Sequence, residues 1–153
     1  MKYAPDTKLV ATNRKAHFDY YLEDKFEAGL ALTGTEIKSV RAGGVQLRDG
    51  YVAEQKGELW LLNVHIAPYK MSQNNHEALR PRKLLLHKRE IKKLAVKLRA
   101  SGYTIVPLSL YLRGGHAKAE LVVARGKQQH DKRQAIAKRE SDLAIRRELG
   151  RRR

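Results

Sequence analysis

Residues 103–124 read YTIVPLSLYLRGGHAKAELVVA. Two apolar runs, residues 103–112 and 117–124, have the length and the β-branched content of strands, and Gly114-Gly115 between them supplies the backbone freedom of a tight turn. The stretch therefore predicts an antiparallel hairpin. Pro107 interrupts the first run and predicts a sheet edge or a bulge, because proline has no N–H to donate to a ladder.

Further short strands precede this hairpin. Alternating apolar and polar residues predict strands over residues 18–22 and 28–32, and Lys56-Gly57 predicts a turn between strands over 51–54 and 59–64. The order of strands and helices is not a regular β-α alternation. We therefore expect an α+β, mainly β domain, in the form of a small antiparallel β-barrel, closed or partly open, with flanking helices.

Two helices are predicted within this body. Residues 33–36, Thr-Gly-Thr-Glu, have the spacing of a capping box, and Gly43-Gly44 ends the helix that begins there. The second helix follows from apolar residues at helical spacing, and Gly102 stops it; these are Ile91, Leu94, Ala95 and Leu98. Its other face is strongly basic and carries Lys88, Arg89, Lys92, Lys93 and Lys97.

The chain carries 32 Lys and Arg against 16 Asp and Glu, and this net charge of +16 indicates a polyanionic partner, either nucleic acid or an acidic membrane surface. Residues 125–153 hold a net +7, which leaves +9 for residues 1–124. The segment 125–153 has no Phe, Trp or Tyr and too few apolar residues for a core. We expect a folded body over 1–124 and a basic tail over 125–153 that is disordered when free.

Basic clusters within the body are candidate phosphate contacts. They are Asn13-Arg14-Lys15, Lys38 with Arg41, and Arg80 with Arg82 and Lys83. In the tail, positions seven apart point in nearly the same direction on a helix with about 100° per residue. Lys132, Arg139, Arg146 and Arg153 have this spacing. The pattern favours a helix with one basic side along RNA over a disordered tail with accidental spacing.

Motifs for catalysis are not evident in the sequence. The chain has no cysteine, its six histidines show no pairing at metal-ligand spacing, and no phosphate-binding glycine loop or dinucleotide fingerprint is present. Glu23, Asp24 and Glu27 leave open a metal-dependent ribonuclease, although solvated acids that hold basic neighbours are the favoured interpretation. We therefore expect no enzyme, no cofactor and no metal.

No early apolar run has the length of a signal peptide, and none approaches the ~18 apolar residues of a membrane span. These features predict a cytoplasmic protein without a membrane partner.

Taken together, the segments resemble the SsrA-binding protein (SmpB) family. The matching blocks are NRKA (13–16), FEAGLALTGTEIKSVRAG (26–43), ELWLLNVHIAPY (58–69), RKLLLHKREI (82–91), GYTIVPLSLYL (102–112) and ARGKQQHDKR (124–133). The resemblance implies an oligonucleotide-binding-type barrel and a monomer that binds the transfer-RNA-like domain of transfer-messenger RNA. It also implies rescue of stalled ribosomes by trans-translation, with the tail becoming helical in the decoding centre and the empty message channel of the small subunit.

The resemblance also assigns residues. The family's transfer-messenger RNA surface is matched by Asn13, Arg14, Lys15 and Glu27, with Lys38, Arg41 and Lys83 as further contacts. Glu27 either accepts hydrogen bonds from bases or riboses, or orients a neighbouring arginine. The ribosome-binding tail comprises Gly126, Lys127, His130, Asp131, Lys132, Arg133, Lys138, Arg139, Arg146 and Arg147. Ser141 stands where the family often has an aromatic residue. A general single-strand or ribosomal RNA-binding protein is the alternative function.

Overall fold

The computed structural model describes residues 6–127, 139–140 and 143–144 of the 153-residue chain. These residues contain nine strands and three helices of six or more residues. In chain order they are β1 (Thr7–Thr12), α1 (Arg14–Asp19), β2 (Tyr20–Leu30), α2 (Gly34–Arg41), β3 (Val45–Gln46), β4 (Tyr51–Gln55), β5 (Glu58–Leu62), β6 (His65–Ile66), β7 (Arg82–Leu85), α3 (Lys88–Arg99), β8 (Tyr103–Arg113) and β9 (His116–Gly126).

Seven strands form one antiparallel sheet in the order β1-β8-β9-β2-β7-β5-β4, and β3 pairs with β6 in a separate ribbon. The expectation of a mainly β, antiparallel α+β domain with helices is confirmed. The hydrogen-bonded ladder of the described residues does not close, because β1 and β4 remain as edges. However, β4 also approaches β8, and α3 packs against β4, β5 and β8.

The central hairpin is the predicted one. β8 and β9 join through Gly114 and Gly115, whose φ angles of 56° and 82° favour glycine at both positions. The register shifts between Pro107 and Ser109, so of the two alternatives predicted at the proline, a sheet edge or a bulge, the structure has the bulge. Because side chains alternate across a strand, the hairpin presents one face to the core and one face outward.

The two faces of the sheet bury two separate clusters. The main cluster lies on the inner face and includes Leu110, Ala119 and Leu121, together with Leu94 of α3. A smaller cluster lies on the outer face, where Ala16 of α1 covers part of β8 and β9; its other buried members are Val106, Leu108, Val122 and Ala124. The short helix α1 thus shields one end of the outer face; beyond it Glu27 is exposed and Lys118 and Glu120 are partly exposed.

The N-terminal segment differs from the prediction. The predicted strands over 18–22 and 28–32 are largely one 11-residue strand, β2, with a bulge between Leu22 and Lys25. The exposed residues Glu23 and Asp24 lie at this bulge and interrupt the apolar alternation that the prediction followed. Phe18 belongs instead to α1, and neither α1 nor β1 was predicted, since β1 is a half-exposed edge strand with a weak pattern.

Both predicted helices are confirmed. Thr33 Oγ1 accepts the N–H of Glu36 at 3.3 Å, and Glu36 Oε1 accepts the N–H of Thr33 at 2.9 Å, so the capping box is complete. Gly43, with φ of 83°, follows the end of α2. In α3, Leu94 is fully buried, and Gly102, also with φ of 83°, turns the chain towards β8.

A buried ion cluster ties the start of β7 and the segment before it to α2. Glu36 Oε2 accepts from Arg82 Nε at 2.6 Å and Glu36 Oε1 from Arg80 Nη2 at 2.5 Å, while Arg82 also donates to Val64 O at 2.6 Å. Burial raises the pKa of Glu36, but the hydrogen bonds from Arg80, Thr33 and Arg82 outweigh it and lower the pKa from 4.5 to about 2.

The prediction that Arg80 and Arg82 contact phosphates is therefore wrong for Arg82. Its side chain is completely buried and committed to Glu36. Arg80 is partly exposed, yet its guanidinium is also bound to this carboxylate. Of this sequence cluster, Lys83 is the residue that reaches solvent with its ammonium group.

Candidate nucleic-acid interface

Beyond α1, the outer sheet face carries charged and polar side chains from three adjacent strands. Glu27 of β2 is directly opposite Glu120 of β9, and Lys118 of β9 is directly opposite Tyr111 of β8. Directly opposite residues of an antiparallel pair project to the same side of the sheet. These four side chains therefore form one surface, which we call the outer-face cluster.

Glu27 is held in place by two partners from β8. Tyr111 Oη donates a hydrogen bond to Glu27 Oε2, and Arg113 Nη1 donates to Glu27 Oε1 at 2.9 Å. Arg113 also lies over the Tyr111 ring, 5.4 Å from its centroid. Burial, together with the bond to Glu27, raises the pKa of Tyr111, so its hydroxyl remains a donor. These contacts fix the direction of the Arg113 guanidinium. The Arg113 side chain is 39% exposed.

The outer-face cluster carries both signs of charge. Lys25 approaches Glu120 with Nζ 4.0 Å from Oε1, so the two acids of the surface each have a cationic neighbour. The centre of the face is therefore close to neutral, and the attraction for a polyanion must come from cations at its margins.

At one margin, Asn13 anchors the start of α1. Its N–H donates to Leu108 O at 2.8 Å, and its side-chain Nδ2 donates to Pro107 O at 2.9 Å and to Leu47 O at 3.4 Å. The side chain is buried, and its Oδ1 has no hydrogen-bond partner among the described residues. Asn13 thus positions the residues after it by binding the β8 bulge.

The residues that Asn13 positions are cationic and exposed. Arg14 and Lys15 line a groove of about 370 Å³ with Thr12 and Arg48. Lys15 Nζ lies 3.7 Å from Asp19 and 3.6 Å from Asp49, which leaves Arg14 and Arg48 as the less restrained cations. Arg48 was missed because it is an isolated cation in a turn sequence, and the fold alone brings it beside Arg14.

At the other margin, Lys83 lies near Glu27. Both residues line a cavity of about 580 Å³ that also includes Lys88 of α3 and Lys118 of β9. Lys83 Nζ is 3.9 Å from Glu58 Oε1. The structure therefore brings Glu27 together with Lys83 on one side, and Asn13, Arg14 and Lys15 together on the other.

Lys38 and Arg41 occupy a third position, on α2. Lys38 Nζ lies 5.6 Å from the centroid of the Tyr69 ring, and Arg41 O accepts from Lys8 Nζ at 3.3 Å. Neither Lys38 nor Arg41 is among the described residues that line the Arg14 groove. Both side chains are exposed.

The junction to the predicted tail is docked on the body. Gly126 pairs with Tyr20 in the sheet, and the N–H of Lys127 donates to Asp19 O at 3.0 Å. Arg125 and Lys127 each place their cation 5.1 Å from the centroid of the Tyr21 ring. We call this arrangement the junction clamp, and through it the folded body continues to Lys127, past the predicted boundary at 124.

The remaining predicted tail contacts are largely outside the described residues, namely His130, Asp131, Lys132, Arg133, Lys138, Arg146 and Arg147. Arg139 is described, and it is helical and exposed.

Several functional candidates were not predicted from the sequence. Tyr111 and Arg113 become partners of Glu27 only through the β8–β9–β2 pairing, which joins positions 84 and 86 residues apart.

No group of His, Cys, Asp and Glu suited to a metal ion occurs among the residues that the structure describes. None of the described helices is long and apolar enough to cross a membrane.

Comparisons with known proteins match this chain over most of its length. A family model described as SmpB protein matches residues 10–151. The SsrA-binding protein of Acidothermus cellulolyticus is 58% identical over 146 residues, which cover 95% of this chain and 92% of that protein. The SsrA-binding protein of Roseiflexus castenholzii is 57% identical over 144 residues, which cover 93% and 91%.

A solved structure described as "tmRNA-SmpB: a journey to the center of the bacterial ribosome" contains a chain with the same fold. It superposes with a TM-score of 0.69 at 44% identity, over 84% of this chain and 95% of that chain. Since the sequence and structural similarities both extend over the whole folded body, the chain belongs to the SmpB family of SsrA-binding proteins.

Proposed function

We propose that this chain is an RNA-binding adaptor that binds the transfer-RNA-like domain of transfer-messenger RNA and delivers it to stalled ribosomes for trans-translation. The observation that carries this proposal is the similarity, over 84% of the chain, to a protein solved as tmRNA-SmpB in a study of the bacterial ribosome. The net charge of +16 supports a polyanionic partner of this kind.

The binding surface that we propose is the outer-face cluster with its two cationic margins. Arg14, Lys15 and Arg48 neutralise phosphates at one margin, and Lys83 does so at the other. Between them, Glu27 holds Arg113 towards the RNA, where a fixed guanidinium binds a phosphate or a base edge with two parallel hydrogen bonds. Lys38 and Arg41 form a separate, peripheral contact. Asn13 acts through its hold on α1 rather than by touching RNA.

We further propose that the body is an oligonucleotide-binding-type barrel that is partly open. The approach of β4 to β8 without ladder pairing, and the packing of α3 against β4, β5 and β8, support this shape. A curved sheet of this type presents a broad outer surface to a structured RNA.

The tail is proposed as the segment that contacts the ribosome. Residues 128–153 carry the basic stripe predicted from the sequence, and they follow the junction clamp directly. In this proposal the tail becomes helical in the decoding centre and the vacant message channel, where it neutralises ribosomal RNA phosphates. The adaptor is a cytoplasmic monomer without catalytic activity or cofactor.

Competition binding tests the proposal. The full-length protein is titrated with the transfer-RNA-like domain and with an unrelated RNA of equal length, both at about 150 mM salt. A preference of about 100-fold or more for the transfer-RNA-like domain is expected, because specific binding exceeds electrostatic background by such factors. Equal affinity for both RNAs would support a general RNA-binding protein instead.

Two variants locate the surface. Arg14→Gln with Arg113→Gln is expected to weaken binding of the transfer-RNA-like domain by about tenfold or more, since two phosphate or base contacts are lost. The matched control, Lys56→Gln with Lys70→Gln, removes the same charge from two exposed lysines elsewhere and is expected to change affinity by about twofold at most.

Magnesium-dependent cleavage of either RNA that disappears in Glu27→Gln would indicate a ribonuclease.

A further inference from the structure

The outer face of the sheet continues from β2 onto β7, β5 and β4, where it carries an apolar surface that we call the aromatic patch. Its members are Tyr51, Ala53, Trp60 and Leu62. Tyr51 is directly opposite Leu62, and Ala53 is directly opposite Trp60, so the four side chains project to one side of the sheet. Leu59 and Leu61 alternate with Trp60 and Leu62 along β5 and are buried in the main cluster, so the aromatic patch faces outward.

The aromatic patch stays open to solvent in the part of the chain that the structure describes. Tyr51 is 44% exposed, and Trp60 and Leu62 are partly exposed. Neither buried cluster of the described residues includes Trp60 or Leu62. The indole N–H of Trp60 has no hydrogen-bond partner among these residues, although a packed tryptophan usually has one. The fold thus leaves part of this ring exposed and gives its polar edge no partner.

Lys83 connects the aromatic patch to the outer-face cluster. It is directly opposite Trp60 in the β5–β7 pair, and it lines the cavity of about 580 Å³ together with Glu27 and Lys118. Gly29 lines the same cavity, and a Cβ added to it would lie 3.7 Å from Lys118 Nζ. Because glycine has no side chain, the surface stays low between β2 and β7. The aromatic patch and the outer-face cluster are therefore continuous.

An indole ring beside an ammonium group has the chemistry that binds an unpaired nucleotide. The ring stacks on any base, since every base has a π-face, and the ammonium neutralises the phosphate next to that base. Bases inside a continuous duplex are stacked on one another, so they do not offer this face. The net charge of +16 and the continuity with a cationic surface favour such an RNA ligand over an apolar peptide.

We infer that Trp60 stacks on an unpaired base of the transfer-RNA-like domain while Lys83 binds the adjoining phosphate. This inference rests on the proposed function and adds a base contact to a surface that otherwise binds phosphates. Tyr51 and Leu62 extend the apolar surface on one side of the ring. Ala53, on the neighbouring strand, is too small to cover the ring.

Tryptophan fluorescence tests the inference on the unsubstituted, full-length chain. Trp60 is the single tryptophan of the sequence, so the emission reports on this ring alone. The protein is titrated at about 150 mM salt with the transfer-RNA-like domain and with a fully paired RNA duplex of equal length. We expect saturable quenching by the transfer-RNA-like domain, and little quenching by the duplex at the same fraction bound. Unchanged emission at saturation overturns the inference, and so does equal quenching by the duplex.

Two variants separate the aromatic ring from its apolar bulk. Trp60→Leu is expected to weaken binding of the transfer-RNA-like domain by about tenfold, whereas Trp60→Phe, which keeps a ring, stays within about threefold of the original chain. Trp60→Leu should leave the slope of log affinity against log salt unchanged, because no phosphate contact is lost, while Lys83→Gln should reduce that slope by about 1. Circular dichroism verifies each fold. Equal affinities of the Leu and Phe variants contradict stacking.

Abasic substitutions in the RNA identify the stacked base without changing its charge. Each unpaired base of the transfer-RNA-like domain is removed in turn while its phosphate is kept. At least one removal is expected to weaken binding of the original chain by about tenfold and binding of Trp60→Leu by about twofold at most, because one contact cannot be lost twice. If every removal has the same effect on both proteins, no base stacks on Trp60.

The two proposals fail in different ways. A loss of preference for the transfer-RNA-like domain over unrelated RNA contradicts the proposed function. A preserved preference with no change in Trp60 emission contradicts the stacking inference alone. Reduced tagging by Trp60→Leu at unchanged affinity for the transfer-RNA-like domain also contradicts it, because that result assigns the aromatic patch to a protein partner.

Discussion

At the scale of single residues, the acid within the proposed RNA-binding surface is explained by the neighbour it orients. Glu27 accepts hydrogen bonds from Tyr111 and Arg113, and both donors come from the strand beyond β9. The family resemblance implied that Glu27 belongs to this surface, and an arginine was one candidate partner. It did not indicate which arginine, because the partner lies 86 residues away and is brought near by strand pairing.

Glu27→Gln tests this orienting role, because net charge alone and the orienting role predict opposite changes in RNA affinity. The substitution raises the net charge by one, so a protein that bound RNA by charge alone would bind more tightly. We expect instead that affinity for the transfer-RNA-like domain falls by about three- to tenfold, because Arg113 is no longer held. Glu23→Gln, on the exposed bulge of the same strand, is the control and should not weaken binding. Tighter binding by Glu27→Gln than by the control contradicts the orienting role.

Glu36→Gln tests the buried ion cluster through stability. Removing one charge from a buried, hydrogen-bonded cluster is expected to lower the free energy of unfolding at pH 7 by about 3 kcal/mol or more, since Arg82 then loses its counter-charge. The pKa of Glu36 is about 2 in the folded chain, below its ordinary value of 4.5. Its stabilisation is thus complete above pH 4.5 and is lost as the pH falls from about 4.5 towards 2.

Urea unfolding of both proteins at several pH values provides the measurement. The difference in unfolding free energy between the original chain and Glu36→Gln should shrink as the pH falls below about 4. A difference that stays constant down to about pH 2 is incompatible with an ionised Glu36 in the folded state.

At the scale of elements, the sequence predicted the helices and turns that are determined by residues close together in the chain. The capping box of α2, the apolar spacing of α3 and the glycine turns of both hairpins needed no long-range information. The errors occurred where contacts between distant residues determine the secondary structure. Phe18 follows a strand-like alternation but lies in α1, and the bulge at Glu23 and Asp24 concealed the continuity of β2. The proposed binding surface spans β2, β8 and β9, so the family resemblance supplied Glu27 on β2 but not its partners on β8.

The junction clamp at the end of β9 is expected to position the start of the tail. Tyr21→Leu removes the ring that lies near Arg125 and Lys127, and so loosens the exit of the tail. We expect the affinity for the transfer-RNA-like domain to remain within about twofold, while tagging on stalled ribosomes in a reconstituted translation system declines. Tyr21→Phe keeps the ring and should behave like the original chain. Equal tagging by the Leu and Phe variants excludes a positioning role for the clamp.

At the scale of the whole molecule, the charge of +16 divides among distinct surfaces. The body carries +9 and presents it at the margins of the outer-face cluster and on α3, while residues 125–153 carry +7. A protein that joins two RNAs requires such a division, because a single cationic surface would be occupied by whichever RNA bound first. In the proposed function, the body holds transfer-messenger RNA and the tail engages the ribosome.

Truncation after Lys127 separates these two roles, because it keeps the junction clamp and removes residues 128–153. Affinity for the transfer-RNA-like domain and tagging on stalled ribosomes are measured for the same preparation. The division of roles predicts that affinity stays within about threefold of the full-length chain at equal salt, while tagging is abolished. Tagging at the level of the full-length chain would contradict the claim, and so would a loss of RNA affinity as large as the loss of tagging.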